Sequence, residues 1–129
     1  MTDKVVITDE HTASFRQWVA YWANRYGLNS WELHVDQDEE ENADYRAYTT
    51  AWTPDRLAVI AIASEWDIEP TDFWLARMAL HEVLELLLWE VGDLIADSKK
   101  LQKDRAFHIV IQTLINTEFE RLYEEACQS

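Results

Sequence analysis

Met78-Ala79-Leu80-His81-Glu82-Val83-Leu84-Glu85-Leu86-Leu87-Leu88-Trp89 is an apolar run whose polar members are His81, Glu82 and Glu85. At about 100° per helical residue, Ala79, Leu80, Val83, Leu84, Leu86 and Leu87 share one broad face, and the three polar side chains fall in an arc roughly 100° wide opposite it. This period predicts a helix that packs by one face. The polar arc also takes in Trp74, Met78 and Trp89, and large apolar side chains make a poor water-facing stripe. The arc therefore reads as the wall of a cleft. An imidazole and a carboxylate four residues apart, with a second carboxylate between them, is a pattern by which one helix offers two ligands to a metal ion and holds a general base beside it. The alternative is an ordinary amphipathic helix in which His81 pairs with Glu85 across one turn.

Before this helix, Thr12 is placed to cap a first helix in which Phe15, Trp18, Val19, Trp22 and Tyr26 recur at three- and four-residue spacing, with Gly27 at its end. Trp31 to Asp36 then alternates Trp31, Leu33 and Val35 with Glu32, His34 and Asp36, the pattern of a strand with one buried face, which puts His34 on the surface. Asp36 to Asp44 is the most acidic stretch and reads as a solvated loop. It lacks the glycine and the ligand alternation of a calcium loop. Tyr45 to Trp52 has strand composition, Thr53-Pro54-Asp55 turns the chain, and Arg56 to Ser64 is apolar on both faces, as a strand inside a sheet must be. Glu65 to Glu69 reads as a loop, Thr71 caps the central helix with Asp72 at its positive end, and that helix is expected to continue to about Leu94. Gly92 and the polar segment Asp97 to Lys103 mark a break. In the last helix Ile111, Leu114, Ile115, Glu118, Phe119 and Leu122 form one side, with His108 on its edge. The expected architecture is α+β: an N-terminal helix, a small three-stranded mixed or antiparallel sheet, a long central helix and a C-terminal helix, in one domain over residues 1–129.

The chain has 129 residues, with 25 acidic side chains against 11 basic ones and a formal charge of −14. That balance argues against direct binding to nucleic acid. It fits either solubility in a salty cytoplasm or a surface that imitates nucleic acid and occupies a DNA-binding protein. Seven tryptophans exceed what one small core obviously requires and suggest a binding cleft or partner face. The single cysteine, Cys127, cannot form an internal disulfide, and no apolar run has the length of a signal or membrane-spanning segment. A cytoplasmic location without membrane contact is the expectation. Oligomeric state is not legible.

The order of elements, with His-Glu at the heart of the long helix, resembles the zincin-like fold. More closely, it resembles the short metallopeptidase-like proteins often carried by phages and prophages. The central helix of that family reads approximately A-L-H-E-V-L-H-L-L-L, against Ala79-Leu80-His81-Glu82-Val83-Leu84-Glu85-Leu86-Leu87-Leu88 here. Its last helix carries E-H-x-V-I-x-x-L-x-N, against Phe107-His108-Ile109-Val110-Ile111-Gln112-Thr113-Leu114-Ile115-Asn116. Tyr26-Gly27-Leu28 after the first helix, Trp31 opening the first strand and Glu65-Trp66 after the third extend the likeness over most of the chain.

This resemblance implies zinc as cofactor, His81 and His108 as ligands, and Glu82 as general base for the attacking water. It also implies a substrate peptide paired along an edge strand. Two positions depart from the family: Glu85 stands where it has its second histidine, and Phe107 where it has a glutamate. Glutamate is itself a zinc ligand, so His81, Glu85 and His108 make a three-ligand site with an open position. A charged third donor lowers the Lewis acidity of the metal and slows hydrolysis near neutral pH. Loss of a carboxylate at Phe107 removes a group able to orient a ligand, which typically weakens metal affinity by about 10- to 100-fold. The functional expectation is a zinc-dependent peptidase-like hydrolase of reduced activity, acting on a peptide or protein. The competing expectation is a catalytically inactive acidic interaction protein on the same scaffold, binding a host protein as an inhibitor or DNA mimic through a surface that includes Glu39, Glu40 and Glu41.

Overall fold

The computed structural model describes residues 4–40, 43–95 and 99–128. Helix α1, Asp9–Arg25, begins one turn earlier than expected, because Thr8 caps it and His11 completes the cap. The Thr8 hydroxyl accepts from the His11 amide at 3.2 Å, and His11 Nδ1 accepts from the Thr8 amide at 3.0 Å. Thr12, expected as the cap, is buried inside the first turns and donates to the Thr8 carbonyl. Asp9 and Glu10 follow Thr8 and favour the positive helix end, so the earlier threonine prevails. At the other end Gly27 adopts φ 74°, and the Leu28 amide reaches back to the Ala23 carbonyl at 2.9 Å. This is the left-handed stop expected of that glycine.

Three strands follow: β2, Glu32–Gln37; β3, Ala47–Trp52; and β4, Leu57–Ile62. They form a mixed sheet in the order β2-β4-β3, with β2 parallel and β3 antiparallel to β4. Strand β4, apolar on both faces, is the central one, as its sequence requires. His34 on β2 is exposed beside Glu32. A second ladder pairs β1, Val5–Val6, antiparallel with β5, Glu65–Trp66. Glu65 to Glu69 is therefore not all loop. Trp66 is fully buried and its indole donates to the Arg46 carbonyl at 3.0 Å, which anchors β5.

Helix α2, Asp72–Leu87, starts at Thr71, whose hydroxyl accepts from the Trp74 amide. It ends sooner than expected. Leu88 interrupts it, and a short helix α3, Trp89–Asp93, carries the chain on toward α4, Lys100–Gln128. Asp97, expected to open the break before α4, lies outside the described residues, as does Glu41 of the acidic run. Helix α2 packs against α1, α4 and β3 at once. Its Leu75, Ala76, Ala79, Leu80, Val83, Leu84 and Leu86 are buried together with Phe15, Val19 and Trp22 of α1 and Ile111, Ile115 and Phe119 of α4. Leu87, expected on the packed face, is 40% exposed at the end of the helix. Among the described residues the architecture is α+β, four helices with small sheets of two and three strands. Among the described residues no helix is long and apolar enough to cross a membrane.

Three of the seven tryptophans, Trp22, Trp31 and Trp66, are buried, and Trp18, Trp74 and Trp89 pack partly buried against the core. Trp52 on β3 is 47% exposed. Six of the seven therefore pack within or against the core.

Candidate metal centre

His81, Glu82 and Glu85 lie on one turn of α2 where β3 and α4 flank it. Strand β3 alternates, with Ala47, Thr49 and Ala51 on one face and Tyr48, Thr50 and Trp52 on the other. Thr49 is the polar member of the face turned to α2. Its hydroxyl lies 3.1 Å from Glu82 Oε1 and 3.2 Å from the Glu82 carbonyl. Glu82 Oε2 in turn meets His81 Nδ1 at 2.9 Å. Glu82 is thereby buried, with 4% of its surface exposed and both carboxylate oxygens engaged. The helical period placed it on a polar arc. Strand β3 covers that side of the arc, and a helix with neighbours on three sides has no single packed face.

His81 Nδ1 also faces Glu85 Oε1 at 3.8 Å. Ligand atoms of His81, Glu82 and Glu85 all lie within 4.8 Å of one another, the one such donor group among the described residues. His108, on α4, stands outside this trio but next to it: its ring is 6.2 Å from that of His81, edge to face at 64°. Helices α2 and α4 thus bring together residues 27 positions apart in sequence, as the resemblance implied for His81 and His108.

The cluster divides two clefts. One, of about 540 Å³, is lined by His81, Glu82 and Met78 with Tyr45, Arg46 and Gln112. The other, of about 590 Å³, is lined by Glu85 and His108 with Trp89, Phe107, Gly92 and Lys103. Met78 and Trp89 therefore each line a cleft, but two different ones, where the sequence suggested a single wall. Trp74 instead lies near the guanidinium groups of Arg46 and Arg77, at 5.9 and 5.4 Å from its ring. Thr49, Arg46 and Gln112 escaped the sequence reading. The one signal was Thr49, a hydroxyl between two alanines on the inward face of its strand.

Electrostatically the cluster is short of positive charge. Burial raises the Glu85 carboxyl to about 7, the negative charge of Glu82 and a hydrogen bond with it add to the shift, and His81 opposes it. Burial alone pulls the His81 imidazole down, but its hydrogen bond to Glu82 and the charges of Glu82 and Glu85 outweigh that, so it holds a proton more readily than usual. Two carboxyl groups crowded beside one imidazole are an arrangement that a bound cation would relieve.

Of the three expected ligands, His81 and Glu85 stand near the spacing of two zinc donors, and His108 lies outside the close donor group. An ion about 2.1 Å from two donors at the tetrahedral angle sets them roughly 3.4 Å apart, close to the 3.8 Å between His81 Nδ1 and Glu85 Oε1. Two imidazoles on such an ion have ring centres roughly 5 Å apart, against 6.2 Å for His81 and His108. His108 is exposed at the cleft. Phe107 is half-buried in the same cleft wall, which also carries the carboxylates of Asp93 and Asp104. No protein-family model, no curated protein and no solved structure matches this chain.

Proposed function

We propose that the chain is a divergent zincin-like protein that binds one zinc ion through His81, Glu85 and His108 and hydrolyses peptides slowly. The observation that carries the reading is the convergence of one imidazole and two carboxylates on a single helix turn, with a second imidazole beside them and too little positive charge to balance them. Zinc bound there supplies Lewis acidity to a substrate carbonyl and acidifies a water molecule. His81 and Glu85, four residues apart, present donors from a rigid helix, and α4 fixes where His108 enters. Glu82 is the proton acceptor next to the site. Thr49 holds its Oε1, so Oε2, now on His81, is the oxygen that accepts the proton when His81 turns to a metal. Strand β3 is a sheet edge with Thr49 at the cluster, and a peptide paired along it would run past Glu82.

Zinc content per chain, measured on untagged protein, tests this directly. Close to one equivalent is expected, lost in His81→Ala and His108→Ala. A metal-free protein even after zinc is supplied would overturn the reading. In the zinc-loaded protein Glu82→Gln should abolish peptide cleavage while leaving the zinc in place.

One observation favours a second reading. Both oxygens of Glu82 are engaged by Thr49 and His81, so the cluster is self-satisfied as it stands and can serve as a structural lock in an interaction protein that binds a host protein through its acidic surface. That reading predicts that His81→Ala is less stable but, where folded, still binds the target, and that charge reversal at Glu39 and Glu40 causes a salt-sensitive loss.

A further inference from the structure

Helix α4 carries a second apolar stripe that the fold leaves uncovered. Its buried residues, Ile111, Ile115, Phe119 and Leu122, lie on one side. At about 100° per residue, Ala106, Ile109, Val110, Thr113 and Thr117 occupy an arc roughly 100° wide on the opposite side, with Leu114, expected on the packed side but exposed, at its border. All six are exposed, Ile109 by 57%, Val110 by 46% and Leu114 by 44%. The spacing of three and four residues is that of a helix-packing seam. The Thr117 hydroxyl donates to the Thr113 carbonyl at 2.7 Å, so its hydrogen-bonding capacity is met within the helix and it adds little polarity to the stripe.

The charges of α4 say what covers this stripe. Residues 100–114 carry Lys100, Lys103 and Arg105 against Asp104, a net charge of +2; residues 115–128 carry Glu118, Glu120, Glu124 and Glu125 against Arg121, a net charge of −3. A helix is stabilised by acidic groups at its start and basic groups at its end. Helix α4 has the reverse, with no acidic residue in its first turn and no basic residue in its last. An antiparallel neighbour with the same sequence corrects this arrangement. It lays an acidic half beside each basic half and opposes the two helix dipoles.

We propose that two copies of this chain pair through α4, antiparallel and two-fold symmetric, centred between Gln112 and Thr113. The interface core is Ala106, Ile109, Val110, Thr113, Leu114 and Thr117 of each copy. Arg105 lies just outside the stripe and Glu120 within its C-terminal continuation, both on the same side of its midline, and two-fold pairing at this centre sets Arg105 of each copy against Glu120 of the other. The dimer is independent of the metal centre and forms whether or not zinc binds.

Sedimentation equilibrium of the full chain at physiological ionic strength tests the proposal, with circular dichroism as a check that each variant is folded. A dimer with a dissociation constant on the order of 10 μM is expected, as for an interface at the small end of specific ones. Ile109→Glu/Leu114→Glu should be monomeric throughout. Arg105→Glu and Glu120→Lys should each weaken self-association at least about tenfold, because each sets like charges together twice in the dimer. Mixed in equal amounts, these two chains should form a heterodimer of near wild-type affinity, because both cross-pairs then become Glu–Lys or Arg–Glu. Monomeric wild-type protein at several hundred micromolar overturns the proposal. So does a dimer insensitive to the Ile109/Leu114 change, or a failure of the mixture to recover.

Discussion

A carboxylate with 4% of its surface exposed is stable only where both oxygens are met, and at Glu82 they are met by Thr49 and His81. Thr49→Val keeps the shape of the side chain and removes the donor. It should cost about 1–3 kcal/mol in urea denaturation, and a loss below about 0.5 kcal/mol would mean that Oε1 does not depend on this hydroxyl. Glu85 gives a dependence on pH in protein stripped of metal by a chelator. Its carboxyl is raised from the ordinary 4.5 to about 7 in the folded chain, so the folded state binds more protons than the unfolded one between those values. Its contribution to stability is fully present below about pH 4.5 and is lost as pH rises through 7. Glu85→Gln should flatten that part of the stability profile, and an unchanged slope would remove Glu85 as its source. That His81, Glu85 and His108 stand near one another was legible from spacing and resemblance. The burial of Glu82 was not, because the residue that buries it is 33 positions away on a strand.

Trp22 is where α1 and α2 are locked together: its indole is fully buried and donates to the Ala76 carbonyl at 3.1 Å, and its ring stacks on Trp18 and meets Phe119 of α4. Trp22→Ala should cost about 3–5 kcal/mol, enough to read as a large fall in the denaturation midpoint. A loss under about 1 kcal/mol would show that α1 does not hold α2 in place. Elements with a long period were readable from sequence: α1 from its aromatic spacing, β4 from its unbroken apolar run, α2 from the leucine face. The pairing of β1 with β5 was not, since Val5–Val6 and Glu65–Trp66 are each too short to show alternation and find each other across the chain. The stop at Leu88 was likewise hidden. No glycine or proline marks it, and the chain bends there toward α4, where Gly92 lets Phe107 approach: a Cβ at that position would stand 3.3 Å from Phe107 Cε2.

Taken over the whole chain, a formal charge of −14 on 129 residues is a standing repulsion that the fold must overcome. The structure relieves it only locally. In the acidic run the Tyr45 hydroxyl donates to both Asp38 and Glu40, which holds the Asp38 carboxyl below its usual range. Arg46 grips Asp67 with two nitrogens at 2.7 and 3.1 Å. Most carboxylates remain on the surface, where their mutual repulsion acts over a Debye length of about 30 Å at 0.01 M salt and about 8 Å at 0.15 M. The compact state should therefore gain more from added salt than the expanded one. If screening relieves about 1 kcal/mol, the melting temperature of a domain this size rises by roughly 3–5 °C between those salt concentrations. The measurement is best made on Ile109→Glu/Leu114→Glu, so that salt-dependent pairing through α4 does not contribute. A melting temperature that falls with sodium chloride would mean that the ion pairs of Arg46 with Asp67, Arg25 with Glu125, and Arg121 with Glu118 and Glu125 outweigh the general repulsion, and that the acidic surface is locally compensated rather than left open for a basic partner.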